Sequence, residues 1–109
     1  MSEAEARPYV VDERRTIAGT EDLVVKVFTL ASGQEIPWHY HSNVSDIFFC
    51  LEGTLMVETR APRGWHEMEV GASFEVPPRT AHRVSGKDGQ HCRFLIVQGI
   101  GRYDFQPVA

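Results

Sequence analysis

The chain has 109 residues, 42% of them hydrophobic and 24% charged, the balance of one ordinary globular domain and not of a disordered or fibrous segment. Eleven Lys and Arg against fifteen Asp and Glu leave a formal net charge of −4, and the basic residues are scattered, so the electrostatic footprint of a nucleic-acid or anionic-lipid partner is missing. The longest apolar run, Ile47-Phe48-Phe49-Cys50-Leu51, is far short of the ~20 residues that span a bilayer.

The opening Met1-Ser2-Glu3-Ala4-Glu5-Ala6-Arg7 is polar, lacks the apolar core of a secretory signal, and is expected to fray. There are two cysteines, Cys50 and Cys92, each inside an apolar stretch; with no export signal they read as buried free thiols in a cytoplasmic protein. Tyr9–Val11 is expected as an edge strand. Beyond it, nine Gly and six Pro punctuate short runs rich in Val, Ile, Phe, Thr and Leu. These runs are Leu23–Leu30, Ile36–His41, Asp46–Leu51, Thr54–Thr59, Ser73–Val76, His82–Ser85 and Cys92–Gln98. Short strands about 8–12 residues apart with turn signals between them predict an all-β sandwich or barrel. Both faces of Asp46–Leu51 are apolar, which predicts a central, buried strand. Ala61-Pro62-Arg63-Gly64 predicts a type I turn, and Lys87-Asp88-Gly89 a tight connection between the last long strands. No repeat, linker or low-complexity tract divides residues 1–109, so one β-domain is expected.

Five histidines carry the chemical interest: His39, His41, His66, His82 and His91. In a strand, His39 and His41 share a face about 6–7 Å apart, close enough to converge on one metal ion; the alternative is two solvent-facing rings on an edge strand. Alternation also turns Trp38 and Tyr40 outward. Asp46 has the wrong parity for that face, but Ser42-Asn43-Val44-Ser45 contains turn formers that reset the pattern. An acid at the head of an apolar strand is costly to ionise unless it meets a cation. His66 and His91 are expected in surface loops.

These residues fall into a pattern that resembles the first motif of the cupin family. Gly33 is followed by five residues, His39-Tyr40-His41, four residues, Asp46, six residues and Gly53. Gly71, five residues, Pro77 and then His82 resemble the second cupin motif, so the resemblance covers residues 33–53 and 71–86. Three departures stand out: Asp46 occupies the place of a Glu, Arg79 the Gly of Pro-x-Gly, and Gly86 the final Asn. The Arg79 substitution predicts that this turn forms differently, stiffened by Pro77-Pro78. The resemblance implies a small double-sheet jelly-roll (cupin) β-barrel with a metal site between the sheets. Its implied ligands are His39, His41 and His82, with Asp46 in the carboxylate place, either binding the ion directly or hydrogen-bonding a ligand water. It also implies a homodimer, consistent with outward Trp38 and Tyr40 and with N-terminal strands crossing between copies.

Three imidazoles and a carboxylate suit one divalent transition ion per chain, whether Fe, Mn, Ni, Co, Cu or Zn. Phe48 and Cys50 share the face of Asp46, so the surrounding wall is apolar, with Phe48 as a candidate substrate contact. Such a pocket suits a small oxygen-bearing ligand. Two functions follow: a small metalloenzyme, either an oxygenase or an isomerase or lyase, or a non-catalytic metal or small-ligand binding module.

Overall fold

The computed structural model describes residues 9–109; the expected fraying of residues 1–7 lies outside them. Among the described residues, ten strands run in chain order: β1 (Glu13–Gly19), β2 (Leu23–Leu30), β3 (Glu35–Tyr40), β4 (Ser45–Glu52), β5 (Leu55–Thr59), β6 (Gly64–Met68), β7 (Ser73–Val76), β8 (His82–Gly86), β9 (Cys92–Gly99) and β10 (Gln106–Pro107). They form two antiparallel five-stranded sheets, ordered β1-β2-β9-β4-β7 and β10-β3-β8-β5-β6. This is the double-sheet jelly roll that the family resemblance implies. No helix among the described residues is long and apolar enough to cross a membrane.

The period of two in the sequence sets what lies between the sheets. Along β9, Cys92, Phe94, Ile96 and Gln98 are buried while their neighbours are half-buried. Phe28, Phe48 and Phe94 pack at centroid separations of 5.3 and 5.6 Å, and truncating a ring as buried as Phe48 to Ala costs about 3–5 kcal/mol. At one end the inward layers are apolar, with Leu30 opposite Cys92 and Leu55 opposite Gly86. At the other end they turn polar: Gln98 pairs with Asp46 across one sheet, and His82 stands between His39 and Thr59 in the other. Both cysteines are buried and free. Burial, and next the neighbouring Cys50, push the Cys92 thiol up to about 12, so it stays protonated.

Several expectations need correction. Tyr9–Val11 is not a strand; pairing begins at Glu13 opposite Thr29, because the Tyr9 ring instead packs 5.6 Å from Phe105 at the barrel mouth. β4 is buried on one face only: Phe49 is 38% and Leu51 40% exposed, since no layer of the described residues covers the outside of that sheet. The reversal expected at Ala61-Pro62-Arg63-Gly64 joins β5 to β6, with Ala61 at φ 52° and a cis bond to Pro62. At Lys87-Asp88-Gly89 the tight connection holds, with Asp88 and Gly89 both at positive φ; it carries the chain from β8 in one sheet to β9 in the other. The turn before His82 does not avoid the glycine conformation. Arg79 itself takes φ 60° there, a left-handed geometry that costs an L-residue about 1–2 kcal/mol. β1, β6 and β10 escape the sequence reading because charge, Trp-His-Glu and Pro dilute their alternation.

Candidate metal centre

Four inward side chains meet at the polar end of the barrel: His39 on β3, His41 just after it, Asp46 on β4 and His82 on β8. Each is at most 3% exposed, and their ligand-capable atoms all lie within 4.8 Å of one another. Local sequence explains the convergence. Pro37 has no N–H to give the ladder, and the β3–β8 register shifts between Ile36 and His39, so both residues face inward although three apart. Trp38 and Tyr40 fall on the outer face as alternation predicts; Trp38 is half-buried there beneath the Arg60 guanidinium, 4.0 Å from its ring centroid. The break at Ser42–Val44 resets the parity, and Asp46 faces in. The Arg79 N–H donates to the His41 carbonyl at 2.7 Å, tying the segment before His82 to the first histidine pair.

Each ring is held by its far nitrogen. His39 donates from Nδ1 to the Pro37 carbonyl at 2.7 Å, His41 to the Asp104 carbonyl at 2.6 Å, and His82 to the Thr80 carbonyl at 2.8 Å. Carbonyls only accept, so the protons sit on Nδ1 and a neutral ring keeps a lone pair on Nε2. Yet the Nε2 atoms of His41 and His82 each lie 2.9 Å from Asp46 Oδ2, which also only accepts. Such acceptor–acceptor contacts need either protonated rings or a cation between them.

The electrostatics distinguish the rings. Burial works against ionised Asp46, but hydrogen bonds from His41 and His82 outweigh it and hold its carboxyl below the usual range. Burial likewise lowers His41, but the bond to Asp46 and its charge prevail, leaving that ring raised. His39, pushed down by burial and next by the charge of His82, falls to about 3, so it is neutral near pH 7.

A metal ion fits this group. Two ligands on adjacent corners of an octahedral ion at about 2.1 Å lie about 3.0 Å apart, close to the 2.9 Å contacts. Each imidazole has the carbonyl partner on its other nitrogen that orients metal-bound histidines. The sequence reading missed Gln98, whose Nε2 donates to Asp46 Oδ1 at 3.0 Å. Its signal was present: it is the one polar member of the inward series Cys92, Phe94, Ile96, Gln98.

Phe48 lies on the inner face of β4 with Asp46 and is fully buried, its ring centroid 6.2 Å from that of His82. Phe105 stacks on His39 at 4.4 Å, and Tyr103 lies 5.1 Å from His41. Together they close the mouth and leave about 10 Å³ of free space, about the room of one water. A far larger cleft of about 510 Å³, between Trp38 and Trp65, lies on the outer face away from this chemistry. His66 is not in a loop: it lies on β6, stacked 3.8 Å from Phe74 with Nε2 3.2 Å from Thr59 Oγ1, because Val57 in β5 pairs with it. His91 is an exposed loop residue. Neither belongs to the four-residue group.

Comparison with known proteins agrees with this geometry. The Cupin domain family model matches residues 26–98. No curated protein sequence matches the chain. Among solved structures it is similar to an uncharacterized conserved protein with a double-stranded β-helix domain from Klebsiella pneumoniae subsp. pneumoniae MGH 78578, with TM-score 0.74 and 21% identity over 100% of this chain and 96% of that one. KdgF from Halomonas sp. gives TM-score 0.70 at 18% identity, over 90% of this chain and 92% of that one. An oxalate oxidase gives TM-score 0.70 at 15% identity, over 80% of this chain and 46% of that one. At these identities the structural likenesses speak for the fold alone. With the family model spanning both histidine motifs and a buried group able to hold a metal, the chain belongs to the cupin family.

Proposed function

We propose that this cupin is a small metalloenzyme acting on a small oxygen-bearing metabolite at one divalent transition ion. His39, His41 and His82 hold the ion through Nε2, and Asp46 binds it directly through Oδ2. The observation that carries the reading is the set of three Nε2 atoms freed by Nδ1–carbonyl bonds, those of His41 and His82 each 2.9 Å from a carboxylate oxygen. When bound, Fe, Mn, Ni, Co, Cu or Zn supplies a Lewis acid or, if redox-active, an oxygen-reactive centre. The chain's own part is to orient: carbonyls fix the rings, Gln98 fixes the carboxylate, and Phe48 offers the ligand an apolar wall. Elemental analysis followed by oxygen uptake, across diketones and carboxylates with Fe(II) loaded, tests an oxygenase. Substrate loss without oxygen uptake marks an isomerase or lyase.

The closed mouth favours a second reading, a non-catalytic module that holds the ion or a very small ligand. Metal bound at one ion per chain with no turnover across the panel supports that module and sinks the enzyme.

A homodimer is part of the proposal. β1 is an edge strand with Ile17 exposed, a surface suited to pairing with a second copy, and Trp38 and Tyr40 lie on the other sheet's outer face. Sedimentation should give twice the 12.3 kDa chain mass; the single-chain mass at micromolar concentration removes the dimer. A cytoplasmic location is proposed from the two buried free thiols.

A further inference from the structure

Gln98 has a second half that the metal group does not use. A carboxylate oxygen only accepts, so the atom of Gln98 that faces Asp46 Oδ1 at 3.0 Å must be the amide nitrogen. That fixes which way the amide points and turns Oε1 away from Asp46. The residue is 5% exposed, and Oε1 is buried without a hydrogen-bond partner. An acceptor left this way is destabilising, so the fold keeps an unmet demand for a donor beside the four metal-ligating groups.

The position of Gln98 indicates where the donor arrives. A second cleft of about 220 Å³ opens beside the chamber, lined by the β1–β2 turn from Thr20 to Val24, Lys26 and Gly101. Gln98 and Tyr103 line both spaces, so these two side chains form the wall between the cleft and the metal group. Val24 stands directly across the ladder from Gln98, and Asp46 stands on its other side. A molecule seated in the cleft therefore meets Gln98 before it meets the ion.

We infer that ligands reach the centre from this cleft and donate an O–H hydrogen bond to Gln98 Oε1, so that the site selects small hydroxyl-bearing chelators over analogues of similar shape that lack the hydroxyl. The inference rests on the metal reading above and names the ligand class for it. Gln98 acts twice, holding Asp46 with its nitrogen and reading the ligand with its oxygen. A site built around a buried acceptor rejects a ligand that leaves it unpaired.

The test uses the cobalt(II)-loaded protein, whose visible spectrum reports both metal uptake and ligand binding. Lactate carries the donor; pyruvate and 2-methoxypropionate do not. Each affinity is divided by the same ligand's affinity for free cobalt(II). Lactate should then exceed both analogues about tenfold, the worth of one hydrogen bond, and Gln98→Met should bring the ratios to within about twofold. If Gln98 only positions Asp46, Gln98→Met weakens all three ligands alike and leaves the ratios standing, which overturns the inference. Equal corrected affinities in the wild-type protein overturn it too, whether or not the variant folds. Failure to take up cobalt overturns the metal reading and this inference with it, whereas uptake without discrimination removes the role of Gln98 alone.

Discussion

Asp46 and His82, 36 residues apart, present Oδ2 and Nε2 to each other at 2.9 Å with the ring's other nitrogen already committed to the Thr80 carbonyl. A carboxylate in that position is either a direct ligand or the counter-ion of charged rings. Direct ligation predicts that Asp46→Asn lowers metal affinity by more than the roughly 10- to 100-fold that loss of an outer hydrogen-bond partner costs. Competition against a chromophoric chelator measures it. A loss inside that range would make Asp46 a partner to a ligand water, and no loss would make it purely structural.

An ion that binds only the folded chain stabilises it by about 2.7 kcal/mol at a hundred times its dissociation constant. For a domain of this size that corresponds to a melting temperature higher by roughly 10 °C or more. Chelation should remove the increment, and His82→Ala should abolish it. His66→Ala and His91→Ala should keep it, since His66 stacks on Phe74 and His91 is exposed. Loss of the metal response in either control would place the ion elsewhere.

The metal-free protein should lose stability as pH falls, and His39 should set the slope. Its folded pKa of about 3 lies below the ordinary 6.5, so unfolding takes up a proton at any pH between those values. Stability from this residue is therefore whole above pH 6.5 and declines down to pH 3, by about one proton's worth per pH unit. His41 is raised and acts in the opposite sense: its contribution is whole below 6.5 and declines as pH rises through its folded value. Urea unfolding from pH 6 to 4 measures the acid limb. His39→Gln should flatten it, and an unchanged slope assigns the proton to another group.

Restoring the family's residue at position 86 should harm this chain. A Cβ on Gly86 would collide with the Gln90 backbone oxygen, since the turn through Asp88 and Gly89 folds straight back against it. Gly86→Asn is expected to cost about 1–3 kcal/mol, read as a lower midpoint in urea. An unaltered midpoint would show that this turn yields.

Much of the site was legible because its spacing is rigid. His39 and His41 sit two apart on a strand, and the turn formers at 42–45 gave Asp46 its parity without reference to any partner. What escaped was contributed by segments with weak local signals. Tyr103, Asp104 and Phe105 lie outside any strand, and nothing in their own sequence says that they fold over His39 and His41. Gln98 could have been found by asking why an inward strand position is polar. The error at β4 came from taking apolar composition for burial on both faces. Phe49 and Leu51 are a reminder that apolar side chains also make surface.

The bond from His41 Nδ1 to the Asp104 carbonyl has a consequence for the order of events in the cell. Protein synthesis runs from the first residue to the last, so His39, His41, Asp46 and His82 are all made before the carbonyl that fixes one of them. Gln98, which holds Asp46, and Phe105, which covers His39, also come late. A nascent chain stalled after residue 82 carries every donor atom but lacks the supports that aim two of them and the ring that shields a third. On the metal reading proposed above, selective capture would thus belong to the chain made through Phe105, and a partly translated chain would offer only a loose, exposed chelate.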